Sequence, residues 1–411
     1  MDYTRFVLPN GLTVFHLPDT STQLAVMNIL YRVGSKDENP EKTGFAHLFE
    51  HLMFGGSVNI PEYDTPLQYA GGENNAFTSN DITNYYLSLP AANIETGFWL
   101  ESDRMLSLAF SPKSLDTQKG VVIEEFKERY LNQPYGDVWL HLLPLAYSRH
   151  PYRWPTIGEK TDHIAQATLD DVKSFFANYY CPNNAILVVG GNISLQRVEQ
   201  LCEKWFTPIP SKPVVRQAYD SEPEQQTPRF KHVVADVPVD MLVKAWHTCG
   251  RIDTDFYATD LLSDYLGAGR SAFLYNELVK KQRIFSELDC YITADADPGL
   301  LLVEGKVMEG VSLDKANVEL ENTLERFLSS GVSDEALQKL KNRAKTNTHF
   351  GNMKVLNRAM KLAYCEFIGR LNEFGKEDHF YDVVSESDLL RVAARVLRPN
   401  NCSTLYYQAK P

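Results

Sequence analysis

The sequence predicts an α+β protein built from two homologous domains, and three observations predict it. Its 411 residues exceed what one ordinary core organises. β-prone runs closed by turn residues alternate with amphipathic helical segments. Parts of the first half also recur in the second: Thr168-Leu169-Asp170-Asp171-Val172, leading to Pro182-Asn183-Asn184, returns as Ser385-Glu386-Ser387-Asp388-Leu389, leading to Pro399-Asn400-Asn401. Residues 210–228, rich in proline, charge and glutamine with little hydrophobic periodicity, read as a linker. The domains are therefore drawn at 1–212 and 229–411, with 213–228 between them.

Taken in order, Phe6-Val7-Leu8-Pro9-Asn10-Gly11-Leu12-Thr13-Val14-Phe15-His16 is a strand, a turn and a second strand. Residues 24–33 are a further β-rich run that ends at Gly34, so a sheet precedes the first helix. That helix is Gly44-Phe45-Ala46-His47-Leu48-Phe49-Glu50-His51-Leu52-Met53-Phe54. At about 100° per residue, Phe45, Leu48, Phe49, Leu52 and Met53 share one side, and His47, Glu50 and His51 the other. Imidazoles four residues apart reach one point above a helix, the spacing a zinc ion needs from two ligands, and Glu50 beside them is a candidate general base. The order H-x-x-E-H inverts the common H-E-x-x-H zinc-peptidase pattern.

Residues 61–70 read as a short helix, and Gly71-Gly72 breaks the chain before the β-prone segments Asn74-Asn75-Ala76-Phe77-Thr78-Ser79 and Thr83-Asn84-Tyr85-Tyr86-Leu87-Ser88-Leu89. The first of these suits an exposed sheet edge able to pair with an extended peptide, or an ordinary edge strand. Amphipathic helices are expected at 94–108 and 111–130. In the second, Glu125 lies about 90° from the centre of the apolar face, whereas Glu124 and Glu128 lie roughly 140° or more away. Glu125 is thus the glutamate turned most toward the interior, and a zinc site with two histidines commonly takes a glutamate as third ligand. Residues 147–158 form a loop. Thr168 caps a helix that runs to Tyr180, residues 185–190 are a strand, and Ser194 caps a helix to Phe206. In the second half, Ala258-Thr259-Asp260-Leu261-Leu262-Ser263-Asp264-Tyr265-Leu266-Gly267-Ala268-Gly269 aligns with the histidine helix. Asp260, Ser263 and Asp264 then replace His47, Glu50 and His51, so the architecture is kept and the ligands are lost.

Composition narrows the function. With 44% apolar and 23% charged residues the chain can bury well-packed cores, and its formal net charge of −12 disfavours nucleic acid or an anionic membrane as partner. Six scattered cysteines without a C-x-x-C pair point to reduced thiols in a cytoplasmic protein. No apolar run of about 18 residues predicts a membrane span; a removed signal peptide stays open.

With these motifs in this order, the chain resembles the pitrilysin/insulinase family of inverzincin metallopeptidases, in particular its short, mitochondrial-processing-peptidase-like members. The resemblance rests on His47-Leu48-Phe49-Glu50-His51-Leu52-Met53-Phe54, Asn74-Asn75-Ala76-Phe77-Thr78, Val121-Val122-Ile123-Glu124-Glu125, and the loop His150-Pro151-Tyr152 leading to Ile157-Gly158. It implies one Zn2+ per chain held by His47, His51 and Glu125, with Glu50 as general base and Asn75, Ala76 and Phe77 on the strand where a peptide docks. The implied fold is two homologous domains, each an antiparallel sheet covered by helices, enclosing a peptide-sized chamber. Two departures matter. Gln118 stands where members usually carry a glutamate, seven residues before the third ligand. Val279 and Ser286 stand where complete enzymes carry an Arg and a Tyr that hold substrate opposite the zinc. The expectation is a zinc metalloendopeptidase acting on oligopeptides or unfolded segments, as the zinc-bearing subunit of a dimer. A homologous partner would supply the Arg/Tyr pair, or the chain would pair with itself. The rival readings are a non-proteolytic assembly subunit and a peptide-binding member.

Overall fold

A computed structural model describes residues 1–410. Strands β1 (Thr4–Val7) and β2 (Thr13–Pro18) form the hairpin expected around Asn10-Gly11. Gly11 takes a φ of +88°, open to glycine without strain, and the Asn10 amide donates to the carbonyls of Phe206 and Ile209. There follow β3 (Leu24–Tyr31), α1 (Phe45–Leu52), α2 (Asp64–Tyr69), β4 (Glu73–Thr78), β5 (Thr83–Pro90), α3 (Ile94–Leu106), α4 (Pro112–Phe126) and α5 (Val138–Ala146). The first half ends with α6 (Thr161–Ala165), α7 (Leu169–Tyr179), β6 (Ala185–Gly191) and α8 (Leu195–Trp205). The hydroxyls of Thr168 and Ser194 accept from the amides of Asp171 and Arg197, which caps α7 and α8 as their sequences indicate.

Residues 210–228 carry neither helix nor strand. After them come β7 (Arg229–Ala235), β8 (Met241–His247), α9 (Phe256–Gly267), β9 (Phe285–Ile292), β10 (Leu300–Val307), α10 (Leu313–Ser330), α11 (Asp334–Asn352), α12 (Val355–Phe367), α13 (Glu377–Asp382), α14 (Glu386–Val396) and β11 (Cys402–Ala409). The first sheet has the order β1-β2-β6-β3-β5-β4 and the second β7-β11-β8-β10-β9. Strand for strand, β7-β11-β8-β10-β9 repeats β2-β6-β3-β5-β4. Each sheet is antiparallel apart from one parallel pair, β2 with β6 and β7 with β11. The duplication read from the sequence is therefore a duplication of topology. α9 lies between β8 and β9 as α1 lies between β3 and β4. Among the described residues no helix is long and apolar enough to cross a membrane, and all six cysteines are free thiols.

The chain forms two compact units, and they do not follow the continuous division at 212 and 229. One comprises residues 1–127, 154–219 and 350–375; the other comprises 128–153, 220–349 and 376–411. Each half lends a helix to the other's sheet. In the first unit α12 covers the sheet with Ala359, Leu362 and Ala363 against Phe15, Val26, Leu30, Ile186 and Val188. In the second, α5 lays Val138, Leu142, Leu143 and Ala146 on Val243, Ala245, Leu300, Leu302, Leu405 and Tyr407. The reason is apolar area: without these helices one face of each sheet would stand in water. Leu362 is completely buried. Leu362→Ala is expected to destabilise the first unit by about 3 kcal/mol, read as a lowered denaturant midpoint. An unchanged midpoint would mean that α12 is not part of that unit.

Candidate metal centre

α1 is an eight-residue helix whose two faces have separate work. Phe45, Ala46, Leu48, Phe49 and Leu52 are buried. The Phe49 ring lies 4.4 Å from that of Tyr180, 5.4 Å from Phe175 and 6.0 Å from Phe176, which fixes the rotation of the helix about its axis. The opposite face carries His47, Glu50 and His51. α4 packs against α1. Its start is set by Ser111, whose hydroxyl accepts from the Ser114 amide, with Pro112 in the first turn, and it buries Leu115, Val122 and Phe126. That packing brings Glu125 to the histidines.

His47 Nε2 lies 3.2 Å and His51 Nε2 3.4 Å from the same oxygen, Glu125 Oε2. One ligand atom from each of the three residues falls within 4.8 Å of the others, and among the described residues no second group of this kind occurs. Two imidazoles and a carboxylate, partly exposed and converging on one point, are a donor set that fits a catalytic zinc with an open position. Burial works against a charged His47, but its interactions with Glu125 and Glu50 outweigh it and raise its pKa to about 9. Glu50 Oε2 stands 3.6 Å from His47 Nδ1 and accepts a hydrogen bond of 2.5 Å from the Thr78 hydroxyl.

β4 is the edge of its sheet, bonded to β5 alone. Asn75 and Phe77 are exposed and Ala76 is half-buried, and the Ala76 amide donates to Asn75 Oδ1 at 2.8 Å. Gln118 is half-buried on α4, about two turns before Glu125. In the second unit the places of the ligands have structural uses. Asp260 accepts from the Tyr381 hydroxyl, and Ser263 donates to the Asp260 carbonyl. Val279 packs on the core of that unit, and the Ser286 hydroxyl donates to the Lys306 carbonyl.

One group in this neighbourhood escapes the motifs. Glu38, only 3% exposed, lies across the start of α1: Oε1 accepts from the Ala46 amide at 2.7 Å and Oε2 from the Gly44 amide at 2.9 Å. Burial pushes its carboxyl up to about 8, against the opposing pull of those two amides. The only signal in the sequence is an acidic residue six positions before the glycine that opens the helix, in a loop with other charged residues.

Comparison with known proteins agrees with this architecture. Residues 14–159 match the family model described as insulinase (peptidase family M16), and residues 166–344 match the one described as peptidase M16 inactive domain. The chain is 30% identical over 408 residues to the zinc protease PqqE of Helicobacter pylori, covering 97% of this chain and 91% of that protein. It is 28% identical over 208 residues to the mitochondrial-processing peptidase subunit beta of Saccharomyces cerevisiae, covering 49% of this chain and 44% of that one. The crystal structure of a protease from Helicobacter pylori superposes with a TM-score of 0.92 at 29% identity, covering both chains completely. The fold and the inverted motif define an M16 peptidase-like protein. The chain belongs to the insulinase family, peptidase family M16.

The Glu38 clamp predicts that Glu38→Gln, which leaves one carbonyl oxygen where two carboxyl oxygens accept, weakens zinc binding about tenfold in a chelator competition. Unchanged zinc affinity would show that α1 keeps its place without the clamp.

Proposed function

We propose that this chain is a zinc-dependent endopeptidase for oligopeptides or unfolded segments and the zinc-bearing subunit of a dimer. The convergence of His47, His51 and Glu125 beside Glu50 carries the reading. His47, His51 and Glu125 would hold the ion. Zinc bound there supplies Lewis acidity, which brings the pKa of coordinated water toward neutrality and stabilises negative charge on the scissile carbonyl oxygen.

The chain's own residues do the rest. Glu50 takes the proton of the attacking water and returns it to the leaving amine. The edge of β4 at Asn75, Ala76 and Phe77 offers main-chain groups to an extended peptide, which orients the scissile bond. Such pairing reads backbone rather than side chains, so it suits unfolded segments of varied sequence.

Val279 and Ser286 at the places of the family's Arg/Tyr pair support a homologous partner that supplies that pair, and a relative named as a peptidase subunit points the same way. The same two residues favour a second reading, a non-proteolytic assembly subunit. Peptide cleavage by the zinc-loaded chain, alone and mixed with a homologous chain carrying the Arg/Tyr pair, separates the two. The expected result is full cleavage only in the mixture, with Glu50→Gln keeping its zinc and losing about 10³-fold in kcat. Full cleavage by the chain alone rejects the dependence on a partner. Near wild-type turnover by Glu50→Gln rejects Glu50 as the base, and zinc without cleavage in any pairing favours the assembly reading.

A further inference from the structure

We infer that Thr78 is a positioning residue for Glu50, and that it ties the aim of this carboxylate to the strand on which a peptide docks. The inference deepens the proposed peptidase reading and rests on it for its catalytic consequence. A glutamate on a helix surface has three rotatable side-chain bonds, and Glu50 has two neighbours competing for Oε2. The Thr78 hydroxyl holds that oxygen at 2.5 Å, while His47 Nδ1 stands at 3.6 Å, beyond hydrogen-bond range. The hydroxyl therefore keeps the carboxylate from collapsing onto His47, a collapse that would commit the base and a zinc-holding imidazole to each other. Both contacts are made through Oε2, so Oε1 is the oxygen left for proton transfer.

The hydroxyl is placed by rigid backbone. Thr78 is the last residue of β4 and pairs with Thr83 of β5, which is fully buried and whose own hydroxyl donates to the Val33 carbonyl at 2.9 Å. Just beyond it, the Ser79 amide donates to the Ile82 carbonyl, and the Ser79 carbonyl accepts from the Ser35 amide. Gly34 sits so close to this turn that a Cβ added to it would lie 2.4 Å from the Asn80 carbonyl oxygen, so only glycine lets the two segments approach this closely. Asn75, Ala76 and Phe77, the proposed docking positions, precede Thr78 on the same strand. A peptide paired there restrains the backbone that aims Glu50.

The test compares Thr78→Val, which keeps the shape and deletes the hydroxyl, with Thr78→Ser, which keeps the hydroxyl; Thr78→Ala replaces the valine variant if that one does not fold. Crystal structures of the zinc-loaded proteins are expected to show Glu50 Oε2 within about 3.2 Å of His47 Nδ1 in Thr78→Val and in its original place in Thr78→Ser. In peptide cleavage, Thr78→Val is expected to lose about 10- to 100-fold in kcat with KM little changed, and Thr78→Ser to recover most of it. Glu50 unmoved in Thr78→Val overturns the inference, as does a serine variant as slow as the valine one. If the wild-type protein cleaves nothing in any pairing, the peptidase reading fails, and the position of Glu50 alone decides whether Thr78 holds it.

Discussion

The candidate centre depends on the grip on one short helix. Eight residues make too little helix to be stable alone, so α1 stands where it does because other groups hold it. Phe49 is lodged among Phe175, Phe176 and Tyr180 on the inward face, and the Glu38 carboxylate lies across the first amides. These restraints act on the buried face and the backbone. The outward face carries His47, Glu50 and His51, and α4 brings Glu125 to the two histidines. Glu50 has a separate restraint in Thr78.

Duplication without symmetry of function follows from the same logic. The two sheets share one strand order, and α9 occupies in its unit the place of α1. Yet the polar groups of α9 serve the fold: Asp260 is bonded to Tyr381, and burial raises the pKa of both Asp260 and Asp264, which weakens them as cation ligands. A core that needs only shape and apolar area tolerates such exchanges, whereas a metal centre does not.

Much of this was legible in the residues because it is local. The Asn10-Gly11 turn, the two-faced histidine helix and the caps at Thr168 and Ser194 are written within a few positions of one another. What was not legible depends on partners far along the chain. α5, in the sequence Val-Trp-Leu-His-Leu-Leu-Pro-Leu-Ala, is nearly uniformly apolar with Pro144 inside, so it lacks a helical period, and α12 finds its sheet more than a hundred residues upstream. Arg104 and Glu101 are charges on a helix read only as amphipathic. They are fully buried as a bidentate pair at 2.6 and 2.8 Å, with the guanidinium 4.5 Å from the Tyr85 ring and 4.6 Å from that of Tyr63. Only the folded chain shows that aromatic rings replace water around them. Glu38 escaped for the same reason, since its partners are backbone amides that no side-chain pattern announces.

The most direct test of the account is anomalous diffraction at the zinc edge from crystals of the zinc-loaded protein. The account predicts one strong peak per chain, bonded to His47 Nε2, His51 Nε2 and a Glu125 carboxylate oxygen at about 2.0–2.2 Å. A peak elsewhere, or none at these residues in zinc-saturated crystals, would contradict it.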